Sequence, residues 1–402
     1  MPTPLTGLRV LDLTRILAGP WATQTLADLG AEVIKVERPK LGDESRHYGP
    51  PFLLSGSGAS TRSVYFLAAN RGKRSVTINL ATPEGQSLVR ELAGRCDVLI
   101  ENFKAGSLAK MGLGYAQLSA SNPGLIYCSI TGFGQEGPHR DRAGYDLVAQ
   151  AMGGLMSITG EPDGPPVRVG VAITDILTGL YGAIGILSAL RERERTGLGQ
   201  YIDLALFDVQ VATLANQASS FLATGQVPQR YGNAHANIVP YQSFATRNGY
   251  MIVAVANDFQ FSRFAEILGM PQIFEDPRFR TNSERVRNRA VLLPIIADRL
   301  RERTTGEWLA DCDGAHIPAA PINSLDAVFS DPQIEAHHLV VEFPPSGNTP
   351  VRVAGSPLRL SRTPVSYQLP PPELGAHTDE VLSELLGKTP ESIEDLRRRG
   401  VL

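Results

Sequence analysis

The amino-acid sequence predicts an α/β protein in two parts, a large domain built on a parallel sheet and a smaller α+β domain. Three observations carry that reading. Strand-like and helix-like segments alternate through the first 200 residues, as they do in βαβ units. After about residue 225 the pattern changes to a hairpin followed by helices. The chain has 402 residues, 43% hydrophobic and 20% charged, which is length for two to three domains and apolar content for buried cores.

The first 40 residues read as one βαβ unit. Residues 8–13 form a short apolar strand, 15–20 a loop, 21–29 a helix ended by Gly30, and 32–37 a second strand. This is the outline of a dinucleotide-binding unit. However, Gly19 is the only glycine between Leu13 and Trp21, so the glycine fingerprint of an NAD loop is missing. Thr82-Pro83-Glu84 opens a helix over 84–94, and 97–100 and 125–130 are further strands. Ligands of open α/β sheets gather beyond the carboxyl ends of the strands, here 15–18, Arg38, Asn102-Phe103 and 131–134.

A long helix from Thr174-Asp175 to about Arg195 comes next, with Thr174 as its expected N-cap. Gly179, Gly182 and Gly185 recur at every third residue and form a strip that another backbone can approach closely. Residues 201–206 alternate like a strand. The segments 241–246 and 250–256 flank Arg247-Asn248-Gly249 as a hairpin, and helices follow near 260–268, 291–303 and 306–312. Proline-rich chain from 328 to 372 reads as a connection, and 378–386 and 390–400 are helical. The expected boundaries are therefore a large domain over 1–200 completed by 380–402, a linker over 201–224, a small domain over 225–325 and a linker over 326–379.

Lys plus Arg number 38 against 41 Asp plus Glu, a net charge of −3. That balance excludes a nucleic-acid or membrane-surface binder acting through bulk charge. Any anionic ligand must be met by locally placed cations. Cys96, Cys128 and Cys312 are far apart and fit neither a metal spacing nor a disulfide framework, which suits a reducing compartment. The start lacks a signal-peptide pattern, and no run reaches the ~18 apolar residues of a membrane span. The expectation is a soluble cytoplasmic enzyme. Metal motifs, a Gly-x-Ser-x-Gly elbow and a Walker loop are all missing from the sequence.

Two features carry chemistry. Asp175 stands in the apolar run Val171-Ala172-Ile173-Thr174-Asp175-Ile176-Leu177. It reads either as a capping carboxylate or as a nucleophile held ionised by the positive end of the helix. Asn70-Arg71-Gly72-Lys73-Arg74-Ser75 packs three cations around a glycine, and reads either as a solvated turn or, with Arg38, Lys104 and Lys110, as a phosphate clamp.

An ordered series of stretches resembles the class III coenzyme A transferases, the family of formyl-CoA and carnitine CoA-transferases. They are Val10-Leu11-Asp12-Leu13-Thr14 with Ala18-Gly19-Pro20; Leu29-Gly30-Ala31-Glu32-Val33-Ile34-Lys35-Val36-Glu37; the segment 70–75; Glu101-Asn102-Phe103; Gly132-Phe133-Gly134 to Gly137-Pro138; Arg142-Ala143-Gly144-Tyr145-Asp146; Thr196-Gly197-Leu198-Gly199-Gln200; and Gly375-Ala376-His377-Thr378-Asp379. The resemblance spans essentially the whole chain. It implies a Rossmann-like large domain, a small domain and an interlocked homodimer.

The resemblance places Asp175 at the catalytic aspartate, forming acyl anhydride and aspartyl-CoA thioester intermediates. By position it assigns CoA contacts to Leu17, Ala18, Arg38, Gly72, Lys73, Asn102, Phe103, Lys110, Thr131, Gly132 and Phe133. No tightly bound cofactor is implied, since CoA enters as substrate. Leu17 stands where formyl-CoA transferase has a glutamine, and that enzyme's glycine-rich mobile loop is absent, so formyl-CoA and oxalate are not the expected substrates. Residues 232–242, Pro166-Val167-Arg168 and 171–181 are similar instead to the succinyl-CoA:glutarate branch.

The expected reaction moves CoA from succinyl-CoA to a C4–C6 dicarboxylate. Arg46 and His235 are candidates for the acceptor's second carboxylate, against a surface ion pair of Arg46 with Asp43 or Glu44 and an ordinary loop histidine. An α-methylacyl-CoA racemase would need a histidine where Tyr145 stands, a phenol too weak as a base near pH 7. A non-catalytic CoA-binding protein would not need Asp175.

Overall fold

Short runs of Val, Ile and Leu, buried on both faces, build one parallel sheet in the computed structural model, which describes residues 3–54, 61–344 and 350–402. The strands are β1 (Arg9–Asp12), β2 (Glu32–Glu37), β3 (Lys73–Thr77), β4 (Val98–Glu101), β5 (Ile126–Thr131) and β6 (Tyr201–Ala205). Their order is β3-β2-β1-β4-β5-β6 and every pairing is parallel. The order reverses between β1 and β4, the doubly wound arrangement that opens a crevice at the carboxyl ends of those strands.

Alternate residues serve opposite faces. Val10, Val33, Val98, Ile100 and Ile126 pack with α1 (Ala18–Asp28) and α3 (Ile173–Thr196), while α2 (Asp146–Met152) and α4 (Leu206–Ala212) flank them. Leu11, Ile34, Val76 and Leu99 face the helices Pro83–Ala93, Thr378–Leu386 and Pro390–Arg398. Of the glycine strip on α3, Gly179 meets another backbone closely, while Gly182 and Gly185 face side chains at ordinary contact distance. A Cβ at Gly179 would lie 2.6 Å from the Ala18 carbonyl oxygen, so only glycine lets α3 pass the start of α1 this closely. By length and composition α3 could also cross a membrane, but here it is a packing helix against α1 and the sheet.

The chain forms two units. One comprises Met1–Leu155, Val169–Ser219 and Glu335–Leu402, and the other Met156–Arg168 and Ser220–Ile334. The expected linkers are therefore elements. Residues 201–224 supply β6, α4 and the helix Ala215–Thr224. Within 326–379 the strands Val340–Phe343 and Val351–Ala354 pair antiparallel and pack with Leu67. The second unit has its own core: the hairpin Tyr241–Thr246 and Gly249–Ala254 with Ala319–Pro321, covered by helices around Phe261, Phe264 and Trp308.

α1 begins at Ala18 rather than at Trp21, because Pro20 falls in the first turn, where no backbone N–H is needed. Thr174 is not the N-cap of α3. It lies inside the helix, and its hydroxyl donates to Gln210 Oε1 at 2.6 Å.

Candidate active site

At the reversal point lies a cavity of about 460 Å³. β1 leads into Ile16, Leu17 and Ala18 on its wall, β4 into Asn102, Phe103 and Lys104, and β5 into Thr131 and Gly132. Asn102 ties two of these segments together. Its Oδ1 accepts the Arg15 N–H at 2.9 Å and its Nδ2 donates to the Arg15 carbonyl at 2.8 Å. A further wall, 140–145, reaches the β5 turn because both segments carry glycine there. A Cβ on Gly132 would sit 2.5 Å from Gly144 Cα. Among the described residues no side chain caps the start of α1 at Leu17, so the positive end of that helix opens beside the cavity.

Asp175 lines the same cavity, one turn before Gly179 on α3. Its environment differs from the expected one. The first N–H groups of α3 are taken by Asp146, whose Oδ1 accepts from Thr174 N at 2.8 Å and Asp175 N at 3.3 Å. Asp146 Oδ2 in turn accepts from Gln150 Nε2 at 2.7 Å. Asp175 is thus neither the cap nor held ionised by the helix end: burial, and after it the Asp146 charge, push its carboxyl up to about 7. Burial together with the Asp175 charge also pushes the Tyr65 hydroxyl up to about 12, so it stays a neutral phenol.

Cations crowd the rest of the wall: Lys104, Lys110, Arg140 and Arg142, with Arg15 held by Glu44 at 2.7 Å. Arg140, Arg142 and the capping role of Asp146 were not singled out by sequence reasoning, although 142–146 stood out as a motif. Cap and helix are 28 residues apart, beyond any local pattern.

Of the residues singled out in the sequence, the structure brings together Asp175, Leu17, Ala18, Asn102, Phe103, Lys110, Thr131 and Gly132. Phe133 stands behind them, its ring 5.5 Å from His139 and 5.9 Å from Phe207. Arg38 is exposed and lies 3.6 Å from Glu44, off the cavity wall.

The 70–75 part of the phosphate clamp is a correction. Lys73 is fully enclosed, donating to Asp12, the Pro20 carbonyl and Asn70 at 3.1, 3.0 and 2.8 Å. Burial lowers its ammonium to about 8 against the opposing pull of Asp12. Arg71 pairs with Asp28 at 2.6 Å, Arg74 joins Glu32, Glu380 and Glu384, and Gly72, at φ 76°, packs against Ala27. These charges are spent on the fold.

Arg46 is a second correction. It pairs with Glu37 rather than Asp43 or Glu44, at 2.7 Å, and stacks over Phe66 on a separate cavity. His235 belongs to the other unit, where its Nδ1 accepts from Asn237 N at 3.0 Å and its ring lies 5.3 Å from Tyr241. Among the described residues, no group of three or more His, Cys, Asp or Glu is placed to hold a metal ion.

A doubly wound sheet whose crevice sets a half-buried carboxylate among cations suits an enzyme that handles an acyl group on a nucleotide-like carrier. The chain belongs to CoA-transferase family III, whose model matches residues 5–378, and it is a CoA-transferase of that class, acting on CoA thioesters. It is 50% identical over 382 residues to a succinate–glutarate CoA-transferase of Agrobacterium fabrum, covering 95% of this chain and 96% of that one. It is 47% identical over 399 residues to the succinyl-CoA:glutarate CoA-transferase of Mus musculus, covering 99% and 90%. The crystal structure of a CAIB/BAIF family protein from Brucella suis superposes with a TM-score of 0.84 at 49% identity, covering 96% of this chain and all of that one.

Proposed function

We propose that this enzyme moves CoA from succinyl-CoA to a C4–C6 dicarboxylate such as glutarate, with Asp175 carrying first the acyl group and then CoA. The observation that carries the reading is Asp175 itself, a carboxylate desolvated in a cation-rich cavity at the switch point of the sheet. Ionised Asp175 attacks the donor thioester carbonyl. The C–S bond breaks, leaving an acyl-aspartyl anhydride and CoA thiolate. The thiolate attacks the aspartyl carbonyl and releases succinate, leaving an aspartyl-CoA thioester. The acceptor carboxylate attacks that thioester, and the freed thiolate takes the acceptor acyl group from the second anhydride, regenerating Asp175. Each intermediate holds Asp175 itself as an activated anhydride or thioester, and no step needs a net proton.

Leu17, Ala18, Asn102, Phe103, Thr131 and Gly132 hold the pantetheine arm in this reading, with Lys104, Lys110 and Arg140 on the phosphates. With Arg46 spent on Glu37, the guanidinium groups left for the acceptor's second carboxylate in this cavity are Arg15 and Arg142. The Arg15 Nε is buried with no hydrogen-bond partner among the described residues.

Kinetics with succinyl-CoA and glutarate against butyrate test the acceptor. A site that pairs the second charge rejects butyrate by at least about a hundredfold in kcat/KM. Equal use of both acids would retire the dicarboxylate reading. We further propose a cytoplasmic homodimer, for which the exposed Leu180, Tyr181 and Ile184 on α3 offer an apolar face. Light scattering at the mass of one chain would refute the dimer.

A further inference from the structure

The loop that carries Ile16, Leu17 and Ala18 into the cavity has a shape its own residues resist. Ile16 has φ of 71°, in the left-handed region where a β-branched side chain is a genuine outlier. Such strain persists only where the surroundings over-determine it, and here they can be named. Asp43 accepts the Ile16 N–H with both oxygens, Oδ1 at 3.0 Å and Oδ2 at 3.2 Å. The carboxylate is itself fixed. Oδ1 accepts from Ser45 N at 2.9 Å and Ser45 Oγ at 2.7 Å, and Oδ2 accepts from Lys35 Nζ at 2.9 Å.

The Asp43–Lys35 pair has no solvent-exposed side-chain surface, and neither residue lines the cavity. Lys35 Nζ also donates to the Thr14 carbonyl at 2.8 Å, and the Thr14 N–H goes to Asp12 Oδ1 at 2.9 Å. Three consecutive residues, 14 to 16, are thus gripped by side chains from four places in the fold, counting Asn102 on Arg15. Burial opposes ionisation of Asp43, yet Lys35 and the Ser45 donors hold its carboxyl well below the usual range, so the grip is present throughout the working pH range. A buried ion pair is weak evidence for stability as such, because desolvation consumes most of its attraction. This one does something more specific than stabilise: it supplies the acceptor that a strained amide needs.

We propose that Asp43, with Lys35 as its counter-ion, is a positioning residue for CoA transfer, holding Ile16 left-handed and so setting Leu17 and the start of α1 beside Asp175. This rests on the transfer reading above. The test uses rescue. Glycine adopts a positive φ without penalty, so Ile16→Gly removes the need for the grip. Asp43→Asn keeps the size of the side chain and puts an amide where Lys35 or the Ile16 N–H needs an oxygen.

D43N lowers kcat for the succinyl-CoA and glutarate pair by about thirtyfold or more, and D43N with I16G recovers about tenfold of it. A double variant no faster than D43N would overturn the proposal, because a purely structural loss is not repaired by a glycine in the loop. If D43N does not accumulate as folded protein, Ser45→Ala is the milder probe. It removes one hydroxyl donor and keeps the ion pair, and exchange of the Ile16 amide with deuterium accelerates about fivefold or more. An unchanged exchange rate overturns the assignment. Should the wild type transfer CoA to no acid, the transfer reading fails by itself. Calorimetric titration with CoA then reads the loop alone, with affinity lowered about tenfold in D43N and regained with I16G. Equal affinity in all three proteins counts against it.

Discussion

Two clusters of cations flank the same sheet, one beyond the carboxyl ends of its strands and one at the amino end of β3, and they have opposite fates. Lys104, Lys110 and Arg140 line an open cavity in front of β4 and β5. Arg71, Lys73 and Arg74 lie at the start of β3, where Asp28, Asp12 and the glutamates 32, 380 and 384 consume each charge. In sequence the second cluster is the more conspicuous, with three cations in four residues. The difference teaches that charge density along the chain does not report charge available to a ligand. What decides is whether the fold brings carboxylates to the same place, and these come from as far as 310 residues away.

The contrast can be broken experimentally, beginning with the group that the open cluster surrounds. Asp175→Ala removes the nucleophile, and transfer falls by about a thousandfold or more while CoA still binds within a few-fold. Purified variant with appreciable turnover would dethrone Asp175. On the sealed side, Lys73→Met leaves Asp12 buried without its cation. The cost is about 3–5 kcal/mol of stability, seen in the denaturant midpoint, with little change in the KM of whatever folded enzyme remains. A stable variant with a raised KM for acyl-CoA would restore Lys73 to the phosphate site.

Lys110→Ala is the mirror image. It raises the KM for acyl-CoA about tenfold to a hundredfold, leaves kcat near its starting value and does not move the unfolding midpoint. The smallest effect is on pH. Because the attacking group is the carboxylate, kcat/KM climbs as pH rises through about 7, where Asp175 titrates. Asp146→Asn keeps a good capping side chain but removes the charge that is the second cause of the shift, so the acid limb moves to lower pH. A limb that stays in place would assign the whole shift to burial.

Local patterns in the sequence were readable, and pairings across the fold were not. The helix opened by Thr82-Pro83-Glu84 is Pro83–Ala93, with the Thr82 hydroxyl accepting from Gly85 N, because that cap is complete within four residues. The strand ends that line the cavity followed from hydrophobic alternation plus the general location of ligands in open sheets. Thr174 failed as a cap because Asp146 does that work from another helix. Arg46 failed because its partner is Glu37 at the end of β2, not the acids beside it in sequence. The unit boundary failed over 335–379, which joins the large unit along with the expected return of 380–402, since a run rich in proline looks like a connector whether or not its strands find partners.

That return has a consequence for how the chain is made. Val381, Leu382, Ile393 and Leu396 bury themselves in the cluster that Leu11, Ile34 and Val76 begin, and the Asn79 N–H waits for the Val401 carbonyl. Chains leave the ribosome from the N-terminus at about 5–20 residues per second, so roughly 300 residues must emerge before that face of the sheet, which Pro83–Ala93 covers only in part, is complete. For about 15–60 seconds the nascent protein shows Leu, Ile and Val on a sheet face only partly covered by Pro83–Ala93, and the second unit, whose core needs none of those late residues, completes first. Chaperone demand during synthesis should therefore fall on the large unit, although its first strands are the earliest to appear.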